Sequence, residues 1–222
     1  MLIKTILQSR KLNIFTGLTS LVLFANAYAA PLASDQSLQM LQEGNTHFVT
    51  GTMDHKFYAE EAKSALLEKQ TPIAAIVGCS DSRVPPEIIF DRGLGELFVV
   101  RIAGNVIGPI EMDSVEYAVQ DLKVPLVVVL GHQNCGAVKA ALAGQNSHPD
   151  LEAIIPLIDS ALKRCDTVGE KGLRNAIDCN VKNSVKALKA SPLVAALIKQ
   201  GKLKVVGAYY EIATGKVTFI GN

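Results

Sequence analysis

The chain has 222 residues, of which 49% are hydrophobic and 19% charged, and its formal net charge is +1. The near-neutral charge, without a basic stripe or a block of like charges, argues against a nucleic-acid-binding protein and a protein that binds anionic membranes. No internal repeat or low-complexity tract is present, and the length suits one α/β domain with a substantial buried core.

The N-terminal segment has the pattern of a secretory signal. Lys4, Arg10 and Lys11 precede an apolar stretch at 12–25, and Ala27 and Ala29 provide the small residues of an A-x-A cleavage site. A membrane anchor is the alternative, but the apolar stretch is short for a bilayer span of about 20 residues. We therefore expect residues 1–29 to be a cleaved signal peptide and 30–222 to be a single periplasmic domain, with no membrane contact after cleavage.

The rest of the chain alternates between helical patterns and short apolar runs. Runs that are apolar throughout indicate strands buried on both faces, as in a parallel sheet covered by helices. In chain order, the patterns predict helices at 34–49 and 57–70, strands at 73–78 and 97–102, a helix at 112–123, a strand at 125–131, and helices at 135–143, 151–165, 172–190 and 193–201.

Two final strands, LKVVGAYYEI and KVTFI, are joined by the short segment ATG, which predicts an antiparallel hairpin. The strand–helix–strand order before them is typical of parallel βαβ units. The predicted fold class is α/β, with a mainly parallel central β-sheet flanked by helices and an antiparallel C-terminal edge strand.

Metal-type ligands follow two of the apolar strands. Cys79 and Asp81 come directly after the first strand, and His132 and Cys135 come directly after the third. Functional residues of parallel sheets collect beyond the carboxyl ends of the strands, so these side chains meet if the two strands are neighbours. Two thiolates, one imidazole and one carboxylate make a tetrahedral set for zinc. Sulfur and nitrogen ligands favour zinc over magnesium or calcium.

Asp81 has two candidate partners. As a zinc ligand it would fill the fourth position and close the site. Arg83, two residues later, can instead form a bidentate ion pair with this carboxylate, which would leave the fourth position for water. A structural zinc site with four permanent protein ligands is the alternative to a catalytic site.

The CSDSR and HQNC motifs resemble those of the β-class carbonic anhydrases. The resemblance runs from about Leu38 to the C-terminus and includes PPEIIFDRGLGELFVVRIAGNV, EYAV and GAYYEIATGKV. It implies reversible hydration of CO2 to bicarbonate and a proton by a zinc-bound hydroxide, with one Zn2+ per chain and a homodimer or homotetramer. It also implies that Cys79, His132 and Cys135 are permanent zinc ligands, and that Asp81 and Arg83 are catalytic.

The resemblance further implies a substrate pocket for CO2 or bicarbonate that is lined by Gln70, Phe98 and Tyr117. Their types suit a linear apolar substrate, since the amide can donate a hydrogen bond and the two rings supply apolar walls. Hydrolysis of CS2 or COS on the same scaffold remains an alternative. So do a noncatalytic zinc protein and a redox protein that uses Cys79 and Cys135 as a reversible disulfide.

Cys165 and Cys179 stand apart from these motifs, in a charged region between two predicted helices. Helices that form a hairpin would bring the two residues together, so we expect a disulfide in an oxidising compartment. Two inert buried thiols are the alternative.

Overall fold

The computed structural model describes residues 33–54, 63–144 and 149–220, and these belong to one compact unit. The predicted signal peptide and the first part of the predicted helix at 57–70 lie outside the described residues. Among the described residues, no helix combines the length and the apolar character that crossing a membrane requires.

Eight α-helices and five strands make up the described part of the chain. In order they are α1 (Ser34–Thr50), α2 (Lys63–Glu68), β1 (Ala74–Gly78), α3 (Pro86–Ile89), β2 (Leu97–Arg101), α4 (Pro109–Gln120), β3 (Leu126–His132), α5 (Gly136–Ala143), α6 (Ile155–Leu162), α7 (Gly172–Ala190), α8 (Pro192–Lys199), β4 (Lys204–Glu211) and β5 (Lys216–Ile220).

The five strands form one sheet in the order β2-β1-β3-β4-β5. The first three pairings are parallel, and only β4 and β5 pair antiparallel, with β5 at the edge. Every residue of β1 and β3 is buried, because helices cover both faces of the central strands. The predicted fold class is confirmed.

Helix α7 packs directly on the sheet beside β3 and β4. A Cβ atom on Gly131 would lie 2.5 Å from a methyl group of Val181, so only glycine permits this close approach. Ile177 and Val181 on α7 are buried against the sheet as a result. This packing fixes α7 next to the end of β3, where the metal-type ligands begin.

Some element boundaries differ from the prediction for local reasons. Helix α4 starts at Pro109, three residues early, because proline is well suited to the first turn of a helix. Helix α6 begins at Ile155 and is shorter than the predicted 151–165, because Pro156 suits the first turn of a helix but not its interior. Helix α3 has only four residues, too few for a periodic pattern to show in the sequence.

Candidate metal centre

The ends of β1 and β3 bring the two sequence motifs together. The strands pair directly in parallel, with Gly78 opposite Leu130, so the residues that follow lie at the same edge of the sheet. Cys79 follows β1, His132 is the last residue of β3, and Cys135 immediately precedes α5. Their ligand atoms all lie within 4.8 Å of one another. Cys79 is 5% exposed and the other two are fully buried.

The two nitrogens of the His132 imidazole have different surroundings. Its Nδ1 lies 2.9 Å from the backbone oxygen of Gln133. A carbonyl oxygen only accepts hydrogen bonds, so Nδ1 carries the hydrogen, and in the neutral imidazole Nε2 then keeps its lone pair. Nε2 is buried and has no hydrogen-bond partner among the described residues. A buried acceptor without a partner is unfavourable, and a metal ion bound at Nε2 removes that cost.

The two thiols of the cluster are unequal. The Cys135 thiol and the backbone N–H of Gly104 donate hydrogen bonds to Cys79, which lower the pKa of Cys79 to about 4 despite its burial. The proton held between the sulfurs, together with burial, raises the pKa of Cys135 well above its usual range. These hydrogen bonds favour the thiolate form of Cys79 before any metal binds, and the donor set of two sulfurs and one nitrogen fits zinc.

Asp81 lies at the mouth of the cluster and is held by Arg83. Arg83 Nε donates to Asp81 Oδ1 at 2.9 Å, and Arg83 Nη2 donates to Oδ2 at 2.7 Å. These hydrogen bonds keep the pKa of the Asp81 carboxyl well below its usual range. Oδ2 is also 3.9 Å from His132 Nε2. Of the two partners considered for Asp81, the structure therefore pairs it with Arg83, beside the three converging ligand atoms.

Arg101, the last residue of β2, has a role that the sequence reasoning missed. Its Nε donates to the backbone oxygen of Cys79 at 3.0 Å, and its Nη2 donates to the backbone oxygen of Asp81 at 2.6 Å. Arg101 lies opposite Gly78 in the sheet, so it can fix the loop that carries both residues. Only the register of β2 against β1 reveals this role, since Arg101 stands 20 residues beyond Asp81 in sequence.

The proposed pocket residues lie away from the cluster within one chain. Phe98 pairs with Ala75, which places it about 13 Å back along the strand from Cys79 at about 3.3 Å per residue. The rings of Phe98 and Tyr117 contact each other, with centroids 6.1 Å apart, and Tyr117 is 48% exposed. Gln70 is exposed in the segment after α2. The two rings thus meet next to the edge strand β2, and their predicted role in the pocket stays a prediction.

The four cysteines divide as the sequence predicts. Cys165 and Cys179 form a disulfide that ties the segment after α6 to α7, with Cα atoms 6.5 Å apart. Cys79 and Cys135 are free thiols in the buried cluster. A reversible disulfide between Cys79 and Cys135 also leaves the Asp81–Arg83 pair without a function, so the geometry favours a metal site over a redox site.

Comparison with known proteins gives one consistent family. A family model described as carbonic anhydrase matches residues 74–217, more than half of the chain. Carbonic anhydrase 2 of Mycobacterium tuberculosis is 39% identical over 198 residues, which cover 82% of this chain and 92% of the relative. A solved β-carbonic anhydrase of Coccomyxa, in complex with acetazolamide, is 29% identical with a TM-score of 0.62, and the match covers 82% of this chain and 86% of that one.

A third likeness concerns the fold alone. Two tetrameric β-carbonic anhydrases were solved from the ascomycete Sordaria macrospora, and the matching chain is 24% identical with a TM-score of 0.63. The match covers 85% of this chain and 98% of that one.

Proposed function

The chain belongs to the β-class carbonic anhydrase family, and on that premise we propose that it hydrates CO2 reversibly to bicarbonate and a proton at a zinc ion held by Cys79, His132 and Cys135. The observation that carries this proposal is the buried cluster itself. Three ligand atoms converge within 4.8 Å, and the only nitrogen among them, His132 Nε2, has no other partner among the described residues. Two sulfurs and one nitrogen leave one position of a tetrahedral ion for water.

Zinc at this site would supply Lewis acidity, which lowers the pKa of a water molecule and so makes hydroxide available near neutral pH. The residues of the chain orient the reaction. Asp81 stays ionised because Arg83 holds its pKa low, so its Oδ2 can only accept a hydrogen bond. We infer that Asp81 Oδ2 accepts the hydrogen of the attacking oxygen and turns a lone pair of that oxygen toward CO2. Arg83 keeps this carboxylate from taking the water position itself.

The substrate pocket and the oligomer are linked in this proposal. Phe98 and Tyr117 lie by β2, which is an edge strand with its residues only partly buried. Ile110, on the helix that carries Tyr117, is 78% exposed, and Leu94, three residues before β2, is 54% exposed. An exposed apolar edge of this kind is typical of a protein–protein interface. We propose a homodimer or homotetramer in which this edge is covered by a second copy, whose Gln70, Phe98 and Tyr117 complete the pocket.

We also propose that the protein acts in the periplasm after removal of residues 1–29. The signal-like pattern of the sequence motivates this proposal, and the Cys165–Cys179 disulfide supports it, because structural disulfides persist in oxidising compartments. Fractionation of Gram-negative cells that express the full chain tests it. A mature N-terminus near Ala30 in the periplasmic fraction is the expected result, and an uncleaved cytoplasmic protein would contradict it.

Stopped-flow CO2 hydration from pH 6.5 to 9, with zinc quantified in the same sample, tests the central proposal. About one zinc per chain and a rate that rises with pH are expected. One zinc per chain without CO2 turnover at any pH would overturn the proposal. Assays of CS2 and COS hydrolysis on that sample would then separate an enzyme with another linear substrate from a structural zinc site.

A further inference from the structure

A 3₁₀ turn at Ala103–Asn105 presents a backbone amide to one of the cluster sulfurs. The N–H of Gly104 donates to Cys79 Sγ at 3.3 Å, and this hydrogen bond is buried. Gly104 has φ 72°, and a Cβ atom there would lie 3.0 Å from Ile158 and 3.1 Å from Ala137. The turn therefore depends on glycine, and a small displacement of its backbone would move the amide off the sulfur.

Two polar side chains of α7 donate hydrogen bonds to the backbone carbonyl groups of this turn. Asn180 Nδ2 donates to the backbone oxygen of Gly104 at 2.6 Å, and Ser184 Oγ donates to the backbone oxygen of Asn105 at 2.9 Å. Asn180 and Ser184 are four residues apart, so they lie on the same face of the helix. They bind consecutive carbonyl groups of the turn, which fixes both its position and its orientation.

Hydrophobic packing alone does not explain why the polar residues Asn180 and Ser184 are buried on this face of α7. Asn180 is 1% exposed and Ser184 is 2% exposed, on a helix face that otherwise buries alanine, isoleucine, valine and leucine. Asn180 Oδ1 is buried and has no hydrogen-bond partner among the described residues. A buried polar atom without a partner lowers stability, so the amide at this position has a use that offsets this cost.

We propose that Asn180 and Ser184 are positioning residues of the metal centre, which act through Gly104 on the sulfur of Cys79. The inference rests on the proposed zinc site. Among the described residues, the hydrogen bonds of Asn180 and Ser184 go to the turn. The connection to the cluster runs from Asn180 Nδ2 to the Gly104 carbonyl, and from the Gly104 N–H to Cys79 Sγ. The role extends the site to α7, which sequence motifs alone do not connect with Cys79.

The hydrogen bond from Gly104 changes the chemistry of the sulfur. An N–H that donates to a thiolate withdraws negative charge from it, so the sulfur gives less electron density to a bound metal. A metal with less charge from its ligands is a stronger Lewis acid toward water. Asn180 and Ser184 thereby offset part of the charge that two thiolates would otherwise place on the metal, and they keep Cys79 aimed at the cluster.

The test compares three variants of the full-length protein. Asn180→Leu removes the amide with little change in volume, and Ser184→Ala removes a single oxygen with minimal risk to folding. Asn183→Leu is the matched control, because Asn183 lies on the same helix but donates its hydrogen bonds to the backbone oxygen of Leu157 at 3.3 Å and to Ser160 Oγ at 3.2 Å. Each protein is titrated with Zn2+ against a chelator, and its Co2+ form is examined by absorption spectroscopy.

We expect Asn180→Leu to bind Zn2+ about 10-fold to 100-fold more weakly than the wild type, because a Cys79 sulfur that is no longer held toward the cluster loses more affinity than its stronger electron donation restores. Ser184→Ala should be weakened less, and Asn183→Leu should be unchanged. In the Co2+ forms, the sulfur-to-cobalt charge-transfer band should move to longer wavelength in the first two variants, because a thiolate without its hydrogen bond gives up electron density at lower energy. A loss of stability without displacement of the turn would not move this band.

Zn2+ affinity and a charge-transfer band in Ser184→Ala and Asn180→Leu equal to those of Asn183→Leu would overturn the positioning role while the proposed function stands. Should Asn180→Leu fail to fold, Ser184→Ala decides by the same criterion. A wild-type protein that binds neither Zn2+ nor Co2+ would overturn the proposed function, and the positioning role with it.

Discussion

The guanidinium of Arg83 donates two hydrogen bonds to the carboxylate of Asp81, at 2.9 and 2.7 Å, and the backbone N–H of Arg83 donates a third at 3.0 Å. The carboxylate is thus fixed in a direction that leaves its Oδ2 atom 3.9 Å from His132 Nε2. Arg83, only two residues beyond Asp81 on the same short loop, thus fixes the position of the Asp81 carboxylate.

Substitution of Arg83 by glutamine should lower CO2 hydration about 100-fold or more while the zinc content stays near one per chain. The carboxylate loses the bidentate partner that orients it, and displacements of about 1 Å in an active site have effects of this size. Stopped-flow assays with zinc quantification measure both quantities. Arg174→Gln is the matched control, since it removes another arginine–aspartate pair, with Asp178, outside the cluster and should leave turnover near wild type. Equal activities of the two variants would contradict the role of Arg83.

Replacement of Cys79 by serine should abolish stable zinc binding and CO2 hydration together. The variant loses the sulfur whose pKa the surrounding hydrogen bonds lower, and the hard hydroxyl group of serine is a poor ligand for zinc. Metal analysis after dialysis against a weak chelator is the measurement. Cys165→Ser with Cys179→Ser, outside the cluster, is the control for the loss of cysteine, since the single change would leave Cys179 as a free thiol. Zinc retained at one per chain in Cys79→Ser would exclude Cys79 as a ligand.

The metal-free protein should titrate as one acidic thiol and one that resists ionisation. Ultraviolet absorbance of the thiolate is expected to rise with a midpoint near pH 4 and to be lost in Cys79→Ser, whereas Cys135 stays protonated beyond the usual thiol pKa of about 8.5. The lowered pKa of Cys79 stabilises the metal-free fold increasingly as pH rises from about 4 to 8.5. The raised pKa of Cys135 destabilises the fold above that range. Two thiols with ordinary midpoints would contradict the hydrogen bond between them.

Gly104→Ala should destabilise the protein more than Gly201→Ala. Both glycines have positive φ, 72° and 68°, for which a non-glycine residue costs about 1–3 kcal/mol. A Cβ atom on Gly104 would also press on Ile158 and Ala137, whereas a Cβ atom on Gly201 has open space around it. Denaturant unfolding of both variants gives the comparison. Equal losses of free energy of unfolding would show that the turn yields to the added methyl group.

Loss of the disulfide should reduce the free energy of unfolding by about 3 kcal/mol, the value for closing a loop of about 15 residues. Cys165→Ser with Cys179→Ser is the variant, and denaturant unfolding without reductant is the measurement. Alkylation of the wild type without reductant, followed by mass spectrometry, should leave both residues unlabelled. Labelling of both would show that the disulfide does not form.

The sequence predicts the architecture well where burial has a simple pattern. Strands β1 and β3 are buried on both faces, so they are apolar throughout, and each ends directly in the ligands that it carries. These two features were enough to predict both the parallel sheet and the meeting of Cys79 with His132 and Cys135. Helix α3 was missed because one helical turn has no periodicity.

The residues that support the ligands could not be predicted in the same way. Arg101 reaches the loop after β1 only through the pairing of β2 with β1. Asn180 meets Gly104 across 76 residues of sequence, because α7 packs over the end of the sheet. Such contacts depend on the register between strands and on the distance between packed helices and strands. The local pattern of residue types predicts neither.

The positions of the four cysteines along the chain also bear on how the protein oxidises as it folds. Cys165 and Cys179 are 14 residues apart, whereas Cys79 and Cys135 are about four times more distant in sequence. Each doubling of loop length adds about 0.6 kcal/mol to the free-energy cost of closing the loop, and a fourfold difference is two doublings. An unfolded chain therefore closes the shorter loop about eight times more readily. The disulfide between Cys165 and Cys179 therefore tends to form before any disulfide between Cys79 and Cys135. The sulfurs of Cys79 and Cys135 then remain reduced until β1 and β3 pair and bury them.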